Sequence, residues 1–384
     1  MKTKSLTQVC NITTGKLDAN AGIPNGKYPF FTCAPDPLRI DTFAFDDDVV
    51  LLAGNNAQGN FHIQRFKGKF NAYQRTYVIT ARDGYDIDYV KYSLELSLQH
   101  LKRIAQGSQT KFLTMQILDS FRVVDIPYNA QRHLIGSIRE VDSKISLNTC
   151  ICAELESMAK TLYDYWFTQF DFPDENGKPY RSSGGEMVWN DQLNREIPKG
   201  WNVGQLSDIA NIAMGQSPAG ETYNENGNGM IFYQGCTDFG TRFPVPRVYT
   251  TAPTRFAKSG DILMSVRAPV GTLNVAIEDC SIGRGLAALN SIIGSQLYLW
   301  YTLAGFKQLF NVLDGNGTTF GSITKDTLYE TKVVIPNPVL VKSFEEIVQP
   351  IEQKIRIIEE ENRELTKLRD WLLPMLMNGQ ATVK

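Results

Sequence analysis

The sequence lacks most of the features that would assign it a chemistry. None of its apolar runs reaches the roughly 18 residues of a membrane-spanning helix, and the start, MKTKSLTQVC, carries two lysines without the apolar stretch of a signal peptide. A cytoplasmic protein with no membrane partner is expected. The six cysteines (10, 33, 150, 152, 236 and 280) form no Cys-x-x-Cys pair, and the three histidines (62, 100 and 133) lie far apart, so no metal site is expected. A basic excess is also missing. With 39 Lys and Arg against 41 Asp and Glu, a formal charge of −2 argues against a free-standing, nonspecific DNA binder.

Catalytic motifs are equally scarce. Asn337-Pro338 is followed by Val339, not by the second proline and aromatic residue of an amino-methyltransferase. Gly54 to Gly59 has P-loop spacing but continues into Asn60-Phe61, so no lysine reaches a phosphate. There is no His-Glu-x-x-His and no nucleophile elbow. Asp46-Asp47-Asp48 reads as a solvated turn. No catalytic residue is assigned, and the chain reads as a non-enzyme that needs no cofactor of its own.

What is present is enough apolar material for ordinary globular domains: 42% hydrophobic and 11% aromatic residues in 384. Charge is uneven. Residues 1–128 hold 15 Lys and Arg against 12 Asp and Glu, whereas 129–199 hold 8 against 11, 200–336 hold 9 against 10, and 337–384 hold 7 against 8. Any DNA affinity therefore resides in local basic strips or is shared with a partner.

The dominant feature is an internal repeat. Leu6-Thr-Gln-Val-Cys-Asn-Ile-Thr-Thr-Gly15 matches Leu206-Ser-Asp-Ile-Ala-Asn-Ile-Ala-Met-Gly215 at a shift of 200. Gly107-Ser-Gln-Thr-Lys-Phe112 matches Gly315-Asn-Gly-Thr-Thr-Phe320 at 208, and the Val-Val-Asp-Ile-Pro that ends at Pro127 matches the Lys-Val-Val-Ile-Pro that ends at Pro336. Leu162-Tyr-Asp-Tyr-Trp-Phe167 matches Leu368-Arg-Asp-Trp-Leu-Leu373 at 206. Matches in the same order at similar shifts identify a tandem duplication whose intervening stretches have diverged.

Each copy begins with short β-branched and aromatic runs punctuated by Gly, Pro and Asn, with helices over 89–103 and 295–310. A long helix follows. In the first, Leu134, Ile138, Val141, Ile145, Cys152, Leu155, Leu162 and Trp166 recur at spacings of three and four, with polar Asn148 among them. In the second, Phe344, Ile351, Ile358, Leu365 and Leu372 hold one heptad position, and Ile347, Lys354, Glu361, Leu368 and Met375 the companion, with Pro350 expected to kink the helix. The fold expected is α+β: two tandem mixed α/β domains separated by two long antiparallel coiled-coil helices, a pseudo-two-fold dumbbell on a rod of roughly 60 Å. The boundaries are 1–128 and 201–336 for the globular domains, 129–170 and 337–384 for the helices, and 171–200 for a turn-rich linker.

The stretch from Leu162 to Pro173, the following Gly177-Lys-Pro-Tyr-Arg-Ser-Ser-Gly-Gly185 and the terminal Leu368 to Pro374 resemble the specificity (S) subunits of type I restriction-modification systems. Gly260-Asp-Ile-Leu-Met-Ser-Val-Arg-Ala-Pro-Val-Gly271 followed by Ile282-Gly-Arg-Gly285 looks like a recurrent target-recognition-domain signature, of which the first copy keeps only Asp48 to Gly54. The resemblance covers essentially the whole chain. It implies that each globular domain reads one half of a bipartite, asymmetric double-stranded DNA target, while the helices set the gap and dock two methyltransferase (M) subunits. S-adenosylmethionine on those subunits, and ATP and Mg on added restriction (R) subunits, would supply the chemistry. Leu162, Tyr165, Trp166, Phe167, Leu368, Trp371 and Leu372 are the partner-docking candidates. A coiled-coil adaptor that binds only protein is the alternative; it would share the helices but need no basic strips.

The DNA-contact candidates lie on such strips. No acid occurs between Asp48 and Asp83, an interval carrying Arg65, Lys67, Lys69, Asn71 and Arg75; in the second copy the acid-free interval 239–260 carries Arg242 and Arg247. The polar glycine loops with Ser108, Gln109 and Lys111, and with Asn316, Thr318 and Thr319, are flexible enough for backbone to approach phosphate. Arg267 and Arg284 sit among prolines and glycines that would hold them on turns.

Overall fold

A computed structural model describes residues 2–57, 59–107, 110–315 and 322–377, with the backbone alone over 307–315. The chain divides into two compact units, Met1–Ser146 with Glu364–Lys384, and Leu147–Arg363.

The first unit is built on a six-stranded sheet in the order Cys10–Thr14, Thr76–Ala81, Phe45–Ala53, Ile63–Ala72, Tyr28–Phe31, Leu38–Ile40. Val49-Val50-Leu51-Leu52 is continuously apolar because this central strand is buried on both faces. Val50 and Leu52 pack against Tyr89, Val90 and Leu94 of the Ile87–Ile104 helix, and Val49 and Leu51 pack against Phe31, Phe70 and Val78. That helix starts where the Asp86 carboxylate accepts from the backbone N–H groups of Asp88 and Tyr89. The Asp46–Asp48 segment lies within the Phe45–Ala53 strand instead of forming the expected turn, and Asp48 pairs with Arg65.

The second unit has a four-stranded sheet, Ala210–Met214, Leu286–Ser291, Ile262–Ser265, Leu273–Val275, and a five-stranded one running Tyr223–Asn224, Tyr249–Thr250, Met230–Tyr233, Cys280–Ile282, Phe256–Ala257. The helix Gln296–Gly315 covers the four-stranded sheet as Ile87–Ile104 covers the six-stranded sheet of the first unit. Within the segment expected as a linker, Met187–Asn190 and Arg195–Pro198 pair as a hairpin.

The duplication extends to individual hydrogen bonds. Cys10–Thr14 pairs with Thr76–Ala81 as Ala210–Met214 pairs with Leu286–Ser291. Thr3–Ser5 pairs with Arg122–Val124 as Asn202–Gln205 pairs with Lys332–Ile335. The Tyr89 hydroxyl donates to Val124 O at 3.0 Å, and the Tyr298 hydroxyl to Val334 O at 2.7 Å. Thr114 and Thr324 each cap a six-residue helix. These pairs place Val124 opposite Val334 and Thr114 opposite Thr324, a shift of 210, whereas the sequence matches in this region suggested 208 and one residue more. Short polar matches slide by a residue without penalty, whereas a strand ladder does not.

The long helices run over Tyr128–Tyr163 and Pro338–Met377. Pro350 does not break the second, because it lies on the exposed face where the carbonyl it leaves unpaired can meet water. The companion stripe also differs from expectation. Ile347 is 49% exposed and Leu368 43%, whereas Val341, Val348, Ile355 and Leu376 are buried. A spacing of three or four from Phe344 fits the sequence equally well, and packing selects four. Inside the second unit Cys152 meets Ile355 and Ile358, and Asn148 donates to Glu361 at 2.7 Å and Asn362 at 2.9 Å. Inside the first, Ile135 and Ile138 pack with Leu373, Leu376 and Met377, while Asp142 takes Arg369 at 3.3 Å. The helix segments are antiparallel within each unit, and their seam is polar as expected, through Asn148, Asn362 and the Asp142–Arg369 pair in place of Lys354.

Candidate functional site

In the second unit a cluster of loops gathers at one end of the four-stranded sheet. Gly215 begins it: a Cβ there would lie 2.1 Å from Gly283 O, so only glycine lets the strand Ala210–Met214 leave the sheet at this point. Gly283-Arg284-Gly285-Leu286 forms a tight turn, Leu286 N donating to Gly283 O at 2.9 Å. Arg284 N donates to Ser217 Oγ at 3.2 Å, and Ser217 is hydrogen-bonded to Gln234. Val266 N donates to Gly285 O at 2.9 Å, which brings Arg267 beside the turn. Ile282 N donates to Arg255 O, adding a third arginine. Arg255, Arg267 and Arg284 are all exposed, and among the described residues none of them has an ion-pair partner.

The first unit repeats this sheet end. A Cβ on Gly15 would lie 1.8 Å from Ala72 O. Tyr73-Gln74-Arg75-Thr76 is the corresponding turn, closed by Thr76 N to Tyr73 O at 2.8 Å, and Gly54 N donates to Arg75 O at 2.8 Å. Gln74 N donates to Leu17 O. Arg75 is exposed without an ion pair among the described residues. Beside it Asn55-Asn56 pairs with Lys111-Phe112, so Lys111 is half-buried at the edge of the same cluster. Backbone anchors thus hold an unpaired arginine on the equivalent turn in both copies, one position apart: Arg284 aligns with Gln74, and Arg75 with Gly285.

The other candidate cations are engaged elsewhere. Arg242, expected on DNA, is only 3% exposed: it pairs with Glu352, takes Glu156 at 3.2 Å, and stacks 3.6 Å from the Trp300 ring centroid. Burial opposes its charge, but the two carboxylates outweigh burial and raise its pKa. It is a structural cation. Arg65 is likewise drawn inward, to Asp88 at 2.7 Å, to Asp48 and to two carbonyls, and burial of its charge is outweighed by the same two carboxylates. Arg247 is exposed but pairs with Asp238 at 2.7 Å and Glu225 at 3.3 Å. Asn71 is 5% exposed and turned toward Thr42. Lys67 and Lys69 remain exposed on the Ile63–Ala72 strand, Lys69 over the Phe43 ring at 4.8 Å. Ser108, Gln109, Asn316, Thr318 and Thr319 lie outside the described residues.

Of the docking candidates, Trp166 and Phe167 are 5% and 3% exposed and belong to the core of the second unit, packing on Phe344 and Tyr298. Their wide helical turn, Asp164–Thr168, rotates both rings inward. Leu162 and Leu372 are half-buried. Tyr165, Leu368 and Trp371 are exposed, Trp371 by 58%. Burial pushes the Cys10 and Cys280 thiols up to about 12, so neither is a nucleophile near neutral pH. Among the described residues no group of His, Cys, Asp or Glu could hold a metal ion, and no helix is long and apolar enough to cross a membrane.

Sequence reading missed Ser217 and Gln234. The signal that could have located them is the glycine closing the first repeat match, Gly15 and Gly215, which marks the sheet end in each copy.

The family model described as type I restriction modification DNA specificity domain matches residues 1–157 and 198–367. A Methanocaldococcus jannaschii protein assigned the name type I restriction enzyme MjaX specificity subunit is 35% identical over 193 residues, 49% of this chain and 45% of the relative. The EcoDI specificity subunit of Escherichia coli is 31% identical over 225 residues, 55% of this chain and 49% of the relative. The chain therefore spans about half the length of these curated relatives. The solved structure of a type I restriction-modification S subunit from M. genitalium shares the fold, with a TM-score of 0.56 at 16% identity over 98% of this chain and 95% of that one.

Proposed function

Since this chain belongs to the family of type I restriction modification DNA specificity domains, we propose that its two units read the two unlike halves of a double-stranded DNA target on behalf of catalytic subunits carried on other chains. The observation that carries this reading is the duplicated sheet end. Arg75 and Arg284 stand on equivalent turns, exposed and free of ion pairs among the described residues, while Arg65, Arg242 and Arg247 are neutralised within the protein. An unpaired guanidinium on a backbone-anchored turn is preorganised for a phosphate or a guanine edge. The long helices set the gap between half-sites, and Tyr165, Leu368 and Trp371 offer apolar surface to two methyltransferase subunits. Restriction subunits complete the complex; S-adenosylmethionine, ATP and Mg2+ belong to those partners.

Gel shift of the chain with and without its methyltransferase partner tests this, using duplexes bearing the motif mapped from methylated adenines in the host genome and scrambled controls. A complex that survives scrambled competitor is expected, with Arg75→Ala and Arg284→Ala each weakening it. If each arginine neutralises a phosphate, the salt slope falls by about one per substitution. Absence of a sequence-specific complex in both conditions refutes DNA reading.

A further inference from the structure

The two sheet ends share more than the arginine-bearing turn. In the second unit Val266 O accepts from Ile323 N at 2.8 Å while Val266 N donates to Gly285 O at 2.9 Å; the next residue, Arg267, pairs across to Ser322. In the first, Gly54 O accepts from Leu113 N at 2.8 Å while Gly54 N donates to Arg75 O at 2.8 Å; the next residue, Asn55, pairs across to Phe112. Leu113 and Ile323 in turn immediately precede the capping threonines Thr114 and Thr324. Asn55 and Arg267 therefore occupy the same position on the same backbone scaffold, fixed on both sides by matching hydrogen bonds.

The side chains at that position differ in the way base edges differ. A guanidinium donates two parallel hydrogen bonds and matches the O6 and N7 acceptors of guanine; a carboxamide offers one donor and one acceptor and matches N6 and N7 of adenine. Arg267 is exposed with no ion pair, and Asn55 is half-buried with no side-chain hydrogen bond among the described residues. The neighbouring turn position contrasts with this. Arg284 is free there, but its counterpart Gln74 donates to Asp18 at 2.6 Å and is held by the protein. Of these two positions, 55/267 is the one whose side chains have no internal hydrogen bond or ion pair in both copies among the described residues.

We infer that Asn55 and Arg267 are equivalent base-reading residues, Asn55 selecting adenine in one half-site and Arg267 selecting guanine in the other. This rests on the DNA-reading function proposed above. The two units are then unlike readers partly because one scaffold position presents an amide in one copy and a guanidinium in the other.

The test is selection from a random duplex library by the chain purified with its methyltransferase subunits, for the wild type and for Arg267→Gln, Arg267→Ala and Asn55→Arg. Arg267→Ala is expected to make a single guanine position of one half-site degenerate, losing roughly tenfold to a hundredfold preference, with the other half-site intact. Arg267→Gln should convert that position toward adenine, and Asn55→Arg should convert one adenine of the opposite half-site toward guanine. Unchanged tryptophan fluorescence of the variants serves as the check on folding. If Arg267→Ala weakens all duplexes equally, Arg267 is a phosphate contact and the inference fails. It fails equally if the wild type selects a bipartite motif that none of the variants alters. A wild type that selects no motif refutes DNA reading itself, and thereby separates the two outcomes.

Discussion

Replacing Arg242 with methionine removes a charge from the least accessible cation of the proposed DNA strip. The guanidinium, 3% exposed, donates from Nε to Glu352 at 2.8 Å, is met by Glu156 at 3.2 Å, and covers the Trp300 indole, whose Nε1 also donates to Glu156 at 3.3 Å. Methionine fills much of the volume, so the chief loss is electrostatic. Glu352, with 17% of its side chain accessible, is left without a counter-charge, whereas Glu156, at 39%, can recover water. Breaking a buried pair typically costs about 3–5 kcal/mol; with one carboxylate rehydrated, the low end, about 3 kcal/mol, is expected, roughly a hundredfold in the folding equilibrium. Tryptophan fluorescence during urea unfolding reads it selectively. Trp166, Trp201 and Trp300 are buried in the second unit, while Trp189 and Trp371 are exposed. Arg242→Met combined with Glu352→Leu should recover most of the loss, since no charge then remains buried. A single variant within about 0.5 kcal/mol of the wild type, or a double variant no better than the single, refutes the structural assignment.

Gly15→Ala and Gly215→Ala each place a methyl group against a backbone carbonyl oxygen, that of Ala72 at 1.8 Å and that of Gly283 at 2.1 Å. Each should destabilise its own unit by on the order of 2 kcal/mol or more and reduce DNA affinity through the adjacent turn, as read by urea unfolding and gel shift. Asp142 is partly buried, and burial raises its pKa, but the Tyr92 hydroxyl together with Lys91 and Arg369 carries the net shift below the ordinary 3.8. A carboxylate depressed in the folded state contributes stability that is present above its unfolded pKa and lost as pH falls through the folded one. Asp142→Asn should therefore remove part of the acid sensitivity, measured as the urea midpoint between about pH 6 and pH 3. Trp371→Ala, at a site 58% exposed, should leave unfolding within about 0.5 kcal/mol of wild type while weakening co-purification with methyltransferase subunits; undiminished co-purification excludes Trp371 from that interface.

Much of the framework was legible in the sequence because a duplication is recorded twice. The matches at Leu6 and Leu206, and at Val123 and Lys332, mark strands and short helices that the structure builds in the same order in both units. Registers were less legible. The glycine-rich match that set Phe112 against Phe320 is displaced by two residues, because the hydrogen bonds of Leu113 and Ile323 place Phe112 opposite Ser322. The helix stripe failed at one choice, three residues against four after Phe344, where Ile347 and Val348 are equally apolar. The site was the least legible part. A basic strip records that acids are missing nearby in sequence, but Arg65 finds Asp88 and Arg242 finds Glu352, 23 and 110 residues away. Likewise Trp166 and Phe167 look like a docking motif until the helical turn at Asp164–Thr168 rotates them into the core.

The pattern of identity between the copies separates the scaffold from the proposed readout. At several positions that shape the scaffold, both copies supply the same residue: glycine at 15 and 215, where a Cβ would collide with a backbone carbonyl oxygen; threonine at 114 and 324, capping a helix; tyrosine at 89 and 298, tying a helix to a strand. Where side chains leave the sheet end, the copies diverge: Asn55 against Arg267, Gln74 against Arg284, Arg75 against Gly285. A duplicated catalytic site would instead repeat its reacting groups together with the scaffold that positions them. Constant geometry with variable hydrogen-bonding chemistry is what reading two unlike sequences requires, because each base edge demands its own donors and acceptors at a fixed height above the groove. The same logic locates Arg242. It ties a divergent loop to Glu156 of one long helix and Glu352 of the other, so it belongs to the scaffold although it lies within a basic strip.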